Sequence, residues 1–417
     1  MKFYTFPETK GWKITFCVFF TLMFLLSRDT LLALNQVGFV RSQLITFFMF
    51  LAAGAVFLWV QRRNIREILT DPRMGLALLS IVLMVVPVLV KRDFQTMYFS
   101  ILFYILASVF LSYFLRVEQM AKAYAVLLSV LAVYSVLCTY PLRAMLEKGL
   151  ISVPAYYNDQ WVQFYNFGLA HITVDFVTNR NFGIFREPGV YQFFILLGLF
   201  LNNYYICWDR PWKYWIVNVI LAVTMLTTFA TGGVLELILL AAFLFFDKKW
   251  YKKRRARILA YLACLAVAGA AAYIVITENG LYVDLIGMLT KFTDEDSGLT
   301  RINAVLIDLG IFLHHPLFGE RMETVLHVVE SNSTSTMVLF ASLGFLGGCL
   351  HVAAWAAFAW DGKRNIFANL FLLLILFMSF NTQNLSWNIL FWAFPMMALC
   401  QKGLPLLEKV REKHHGS

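Results

Sequence analysis

Blocks of about 15 to 25 apolar residues recur along nearly the whole chain, and they restrict its folding more than any other feature. A helix rises about 1.5 Å per residue, so about 20 such residues cover the roughly 30 Å hydrocarbon core of a bilayer. A membrane barrel would show short alternating segments instead. Of the 417 residues 60% are hydrophobic and 14% are charged, against roughly a quarter charged in an ordinary soluble domain. These observations predict an all-α polytopic membrane protein. Window hydropathy places about twelve spans at 14–34, 43–60, 74–90, 95–115, 121–141, 190–207, 213–230, 233–246, 256–276, 333–358, 365–380 and 386–401. The first block has no small-residue cleavage site after it and is expected to be a retained span.

Charge predicts orientation. The densest basic cluster runs from Asp247-Lys248-Lys249 to Lys252-Lys253-Arg254-Arg255 and belongs on the cytoplasmic side. Counting spans from it places both termini, the Arg62/Arg63/Arg66/Arg73 loop and Lys363-Arg364 inside, and two long loops, 142–189 and 277–332, outside. The net charge of +10 is concentrated in a few inter-helix loops, which fits membrane orientation and gives no reason to invoke nucleic acid. The six cysteines, at 17, 138, 207, 264, 349 and 400, contain no CxxC pair and indicate neither a disulfide framework nor a metal site. With no linker and no internal repeat, 1–417 reads as one domain.

The long outer loops carry the candidate chemistry. The first holds Tyr156, Tyr157, Trp161, Phe164, Tyr165 and Phe167, read either as an interfacial aromatic belt or as rings for stacking on sugars. It ends in Asn179-Arg180-Asn181-Phe182-Gly183-Ile184-Phe185-Arg186-Glu187-Pro188-Gly189. Pro188 suits a first helical turn and pushes Glu187 toward an extended conformation. Arg186 beside that helix end then grips an anion, or pairs with Glu187 at the surface. In the second loop Ile302, Leu306, Leu309 and Leu313 recur at helical spacing, with Arg301 and Asp308 on the opposite face. His314-His315-Pro316-Leu317-Phe318-Gly319 closes that helix, and Asn332-Ser333 reads as an N-cap. No carboxylate or third histidine stands at ligand spacing from His314 and His315, so no metal is expected. Thr231-Gly232-Gly233 reads as a tight reversal that sets Glu236 one turn below the outer surface, and Gly344 and Gly348 form a GxxxG packing motif.

These pieces together resemble the O-antigen polymerase and O-antigen ligase superfamily. Phe185-Arg186-Glu187-Pro188-Gly189 looks like its Arg/Glu-Pro segment, Thr231-Gly232-Gly233 like its Thr-Gly turn, and Arg301 with His315-Pro316-Leu317-x-Gly319 like its late-loop pattern, followed by Gly344-x-x-Gly347. Many members carry an arginine where this chain has Gly233. The ligase branch carries a histidine where Ser333 stands, so the polymerase branch is the better match, with His314, His315 and His327 as spatial alternatives. The resemblance implies a cofactor-free, metal-independent glycosyltransferase of the multi-span C-type in a bacterial inner membrane. It would move a growing chain from undecaprenyl diphosphate onto an incoming lipid-linked repeat unit on the periplasmic side, beside membrane lipid and a chain-length regulator protein. Arg186 and Arg301, with Arg180 and Arg321 second, would hold the departing diphosphate. Glu187, then Glu236, would act as base, with His314, His315, Asn332 and Ser333 supporting. Ligation onto a lipid A core and transport of a lipid-linked oligosaccharide are the competing functions.

Overall fold

The computed structural model describes residues 10–157, 163–173, 180–254, 300–328 and 332–405, with individual positions between 257 and 277. The expected span at 256–276, the acidic run Asp294-Glu295-Asp296 and Trp161 lie wholly or largely outside these residues. The chain divides into two compact units, Met1–Ala123 with Arg301–Arg364 and Phe380–Ser417, and Tyr124–Thr300 with Asn365–Ser379.

In the first unit, α1 (Lys10–Leu25) and α2 (Phe39–Val60) precede the short α3 (Ile65–Thr70) and α4 (Pro72–Lys91). Asp71 starts α4 by accepting the Arg73 backbone N–H at 2.9 Å, with Pro72 at the first helical position. α5 (Thr96–Leu111) packs on both α4 and the ten-residue Ile389–Ala398 helix near the chain end, all ten residues of which are buried.

In the second unit, α6 (Val117–Leu137), which enters from the first, runs through a π-helical turn at Cys138–Leu142 into α7 (Arg143–Glu147). A three-stranded antiparallel sheet follows, β1 (Ala155–Tyr157), β2 (Gln163–Asn166) and β3 (His171–Thr173), with Tyr156 opposite Phe164 and Phe164 opposite Thr173. The rings of Tyr156 and Phe164 stack on each other at 5.6 Å. Burial drives the His171 imidazole down to about 4, so at neutral pH it is an uncharged partner for the Tyr156 hydroxyl 3.0 Å away. α8 (Pro188–Tyr204), α9 (Pro211–Thr227) and α10 (Thr231–Asp247) complete this unit with most of the apolar Ile366–Phe380 helix.

Two expectations about fold class are corrected. The chain is not all-α, because the first long loop folds into the sheet. Nor does it have about twelve spans. Among the described residues four helices are long and apolar enough to cross a membrane: Val40–Val60, Pro72–Lys91, Val117–Glu147 and Thr336–Ala359. Other apolar blocks among the described residues form shorter helices, such as Gly11–Leu25, Thr96–Leu111 and Ile366–Phe380 at 10–17 residues, which fall below about 30 Å at 1.5 Å per residue. Hydropathy cannot separate such helices from spans, because a core helix is apolar all round for the same reason a span is. α8 shows this directly, with 14 of its 17 residues buried. The orientation scheme depended on counting every span outward from one basic cluster. With four candidates the count no longer carries through, and the inner-membrane, cytoplasmic-termini and periplasmic-loop assignments fall with it.

Candidate functional site

At one end of the second unit the start of α8, the end of α9 and the start of α10 come together. The segment leading into α8 is held there by Asn181, which is buried. Its backbone N–H donates to the Thr227 carbonyl at 3.0 Å, and its amide donates to Ser135 Oγ and Thr227 Oγ1, each at 3.0 Å. Its amide oxygen accepts the Gly183 N–H at 2.9 Å, closing an Asx turn. Gly183 has φ +57°, and a Cβ there would sit 2.6 Å from the Tyr191 ring, so this turn requires glycine. An Asn two residues before a Gly is the sequence signal for this anchor, and it lay unused between Arg180 and Phe182.

The anchor sets out the charged residues expected from sequence. Arg180 is half-buried and donates from Nε to the Thr228 carbonyl at 3.2 Å. Arg186 Nη1 donates to Glu187 Oε1 at 2.7 Å, with side chains 33% and 47% exposed. Glu187 occupies the N-cap position of α8 in extended conformation, as Pro188 requires, yet its side chain makes no cap bond. The 17-residue α8 thus begins without a side-chain cap from Glu187, with the Arg186–Glu187 pair at its first turn.

The expected reversal at Thr231-Gly232-Gly233 is made one step earlier. Phe229 takes φ +45°, and α10 begins at Thr231. The glycines lie inside its first turn, where α8 approaches closely. A Cβ on Gly233 would lie 2.8 Å from Gln192 Oε1 and 3.0 Å from Met225 Sδ, so an arginine at this position has no room. Glu236 lies in the following turn and is buried.

The other expected residues lie in the first unit. α11 (Thr300–His314) carries Arg301, half-buried, at its start. The helix is turned opposite to the amphipathic expectation: Ile302, Leu306 and Leu313 are exposed, whereas Ala304 and Asp308 are buried. Asp308 accepts from Asn332 Nδ2 at 2.9 and 3.1 Å and from Thr334 Oγ1 at 2.5 Å. Burial raises its carboxyl to about 6, outweighing the two hydrogen-bond donors that act to lower it. Asn332 thus clamps α11 and does not cap the next helix, α13 (Thr336–Ala359), which follows α12 (Met322–Val328). The first amides of α13, from Thr336 and Met337, donate to Asn381 Oδ1 at 3.2 and 3.4 Å. Ser333 is half-buried beside this clamp, Arg321 and His314 are exposed, and His315 Nε2 lies 3.2 Å from Glu320 Oε2. Among the described residues no cluster of three metal-ligating side chains occurs.

The glycines of α13 also have a defined role. Gly344 breaks the helix at φ +64°, ψ −160°, and the strap from Pro316 to Glu320 fills the break. Phe345 N–H donates to the Pro316 carbonyl and Glu320 N–H to the Ala341 carbonyl, both at 2.7 Å. Lys91 Nζ caps the Ser342 carbonyl and reaches the Glu320 carbonyl at 2.8 Å. Cβ atoms would lie 2.6 Å from Phe318 N at Gly344 and 2.5 Å from the Ser342 carbonyl carbon at Gly319, so the two glycines face each other. The expected GxxxG packing motif is in part a broken helix with a fitted strap.

No known protein family, no curated protein and no solved structure matches the chain. The resemblance to the O-antigen polymerase and ligase superfamily is therefore corrected. It relied on the order of short motifs along about twelve spans, and among the described residues there are four candidate spans. The assignments that came with it, a C-type glycosyltransferase fold and repeat-unit polymerisation, ligation or transport in a bacterial inner membrane, are withdrawn with that layout.

Proposed function

We propose that the chain is a metal-independent group-transfer enzyme that works against a lipid surface, with its reactive end at the meeting of α8, α9 and α10. The main support is the Asn181 anchor, which buries a neutral side chain to fix the segment that carries Arg180, Arg186 and Glu187 into the start of α8. Two arginines on the segment entering α8, and the positive end of that helix, suit a substrate that loses a phosphate or diphosphate, because they stabilise charge developing on its oxygens. Glu187 suits the role of proton acceptor for an attacking hydroxyl once substrate phosphate takes over its arginine. The lipid-surface part has separate support. Only 17% of the Val40–Val60 window is buried in the protein, and Phe48 and Trp59 are 61% and 72% exposed, an apolar surface that water would not leave uncovered.

Titration of the purified protein with inorganic pyrophosphate tests the anion site. Arg186→Ala and Arg180→Ala should each weaken binding about tenfold or more, while Glu187→Gln should leave it intact. Unchanged pyrophosphate affinity in a folded Arg186→Ala protein removes this end as the anion site.

A further inference from the structure

The opposite end of α9 and α10 carries a second feature that the proposed chemistry does not use. α10 stops at Asp247, and the next residues form a built turn. Lys248 Nζ donates to Tyr214 Oη at 2.9 Å and Asn203 Oδ1 at 3.2 Å, and lies 4.7 Å over the Tyr214 ring. Lys249 turns the chain at φ +53°, and Trp250 then stacks on Trp215 of α9 at 5.5 Å and 29°. This locked turn holds Lys249, Lys252, Lys253 and Arg254 exposed. The two acids nearby are already engaged: Asp209 pairs with Lys213 at 2.9 Å, and Asp247 accepts from Tyr204 at 3.3 Å.

A merely solvated charge run needs no such turn and no exposed indoles. Here Trp212 and Trp215 are each 52% exposed, and from them an exposed apolar stripe continues along α9 through Ile216, Val219 and Val223. The spacing is that of one helix face. Cations at the lip, indole rings next to them and an aliphatic stripe beyond match the head group, interface and acyl layers of a bilayer in order. Nucleic acid would match the cations but leave the stripe uncovered.

We propose that this lip is a docking surface for the anionic head groups of phospholipids, whose phosphates are met by Lys249, Lys252 and Lys253. This inference rests on the lipid-surface part of the proposed function and is independent of its chemistry. It is tested with the full-length protein in mixed micelles of phosphatidylglycerol and phosphatidylcholine, by native mass spectrometry of the retained lipid. Wild type should retain phosphatidylglycerol in preference. Lys249→Gln/Lys252→Gln/Lys253→Gln should lower that preference about tenfold or more, whereas the charge-matched Arg66→Gln/Arg92→Gln/Lys122→Gln should not. Equal retention of both lipids by a protein that inserts into vesicles of either composition overturns this inference alone. Failure to insert into any vesicle overturns the lipid-surface reading as well. Tighter binding of a DNA oligonucleotide than of phosphatidylglycerol, abolished in the lysine variant, also overturns it.

Discussion

The two units differ in how they hold several of their acids. In the first, beside the Arg73–Asp71 and His315–Glu320 pairs, three acids are buried and held by neutral donors: Asp308 by Asn332 and Thr334, Asp93 by Tyr98 Oη and the Met322 N–H, and Asp29 by Asn388. In the second, several ion pairs sit part-exposed at helix ends, as in Arg186–Glu187, Lys213–Asp209 and Arg143–Glu147, and Glu236 is the buried exception. A buried carboxylate held by such donors, as both oxygens of Asp308 are, is a fastening that is costly to disturb. A part-exposed pair contributes little to stability and exchanges partners readily. The contrast argues for placing structure in the Asp308 clamp and ligand contact at the Arg186 end.

Substitutions that strike the fastenings should cost most. Gly344→Val puts a branched side chain at φ +64° against the backbone of the Pro316–Glu320 strap, which has no flexible side-chain end to yield. A loss of about 3 kcal/mol or more is expected, seen as a large fall in thermal midpoint or in folded yield. An equal effect of Gly362→Val, where a Cβ meets nothing within 4 Å, would show that the strap is not what makes Gly344 sensitive.

The Asp308 clamp has a pH signature with a definite sign. Its carboxyl lies at about 6 in the folded chain against an ordinary 3.8. Between these values the folded state holds a proton that the unfolded state has lost, so stability falls as pH rises through this window. The full cost, of order 3 kcal/mol, stands above it. Wild type should therefore gain stability between pH 7.5 and pH 5, and Asp308→Asn should lose that gain when melting is followed at both values. Asn332→Ala removes a donor from the charged form and should cost about 2 kcal/mol at pH 7.5 and less at pH 5. Identical pH slopes in wild type and Asp308→Asn would assign the titration elsewhere.

The smallest stability effect is expected in the other unit. Arg186→Ala breaks a pair whose members are 33% and 47% exposed, so denaturation should shift by no more than about 0.5 kcal/mol. Calorimetry alongside the pyrophosphate titration separates the roles. A loss above about 2 kcal/mol would make Arg186 a fastening like Asp308 and erase the contrast between the units.

Much of the local structure was legible in the residues themselves. Pro188 placed a helix start, Glu187 was assigned its extended backbone, and the spacing of residues 302 to 313 marked a helix, since these depend on neighbours within one or two turns. The sheet at 155–173 was hidden because Tyr156-Tyr157 and Phe164-Tyr165 read as aromatic density without turn signals strong enough to outweigh it. The resemblance failed for a related reason, since motifs as short as Thr-Gly or Arg-Glu-Pro arise wherever helices start.

By itself, then, the sequence determined that most of this chain is helical and apolar, where several helices begin, and which charged residues stand beside those starts. Only the tertiary structure decided which apolar helices are core, which face of 300–314 turns inward, and that Gly233 and Gly344 are contact points for Gln192 and the Pro316–Glu320 strap. Hydropathy records how much a side chain avoids water, and a protein interior and a lipid tail satisfy that preference equally well. Helix length, burial and the partners of each charge separate the two, and all three are properties of residues brought together from distant parts of the chain.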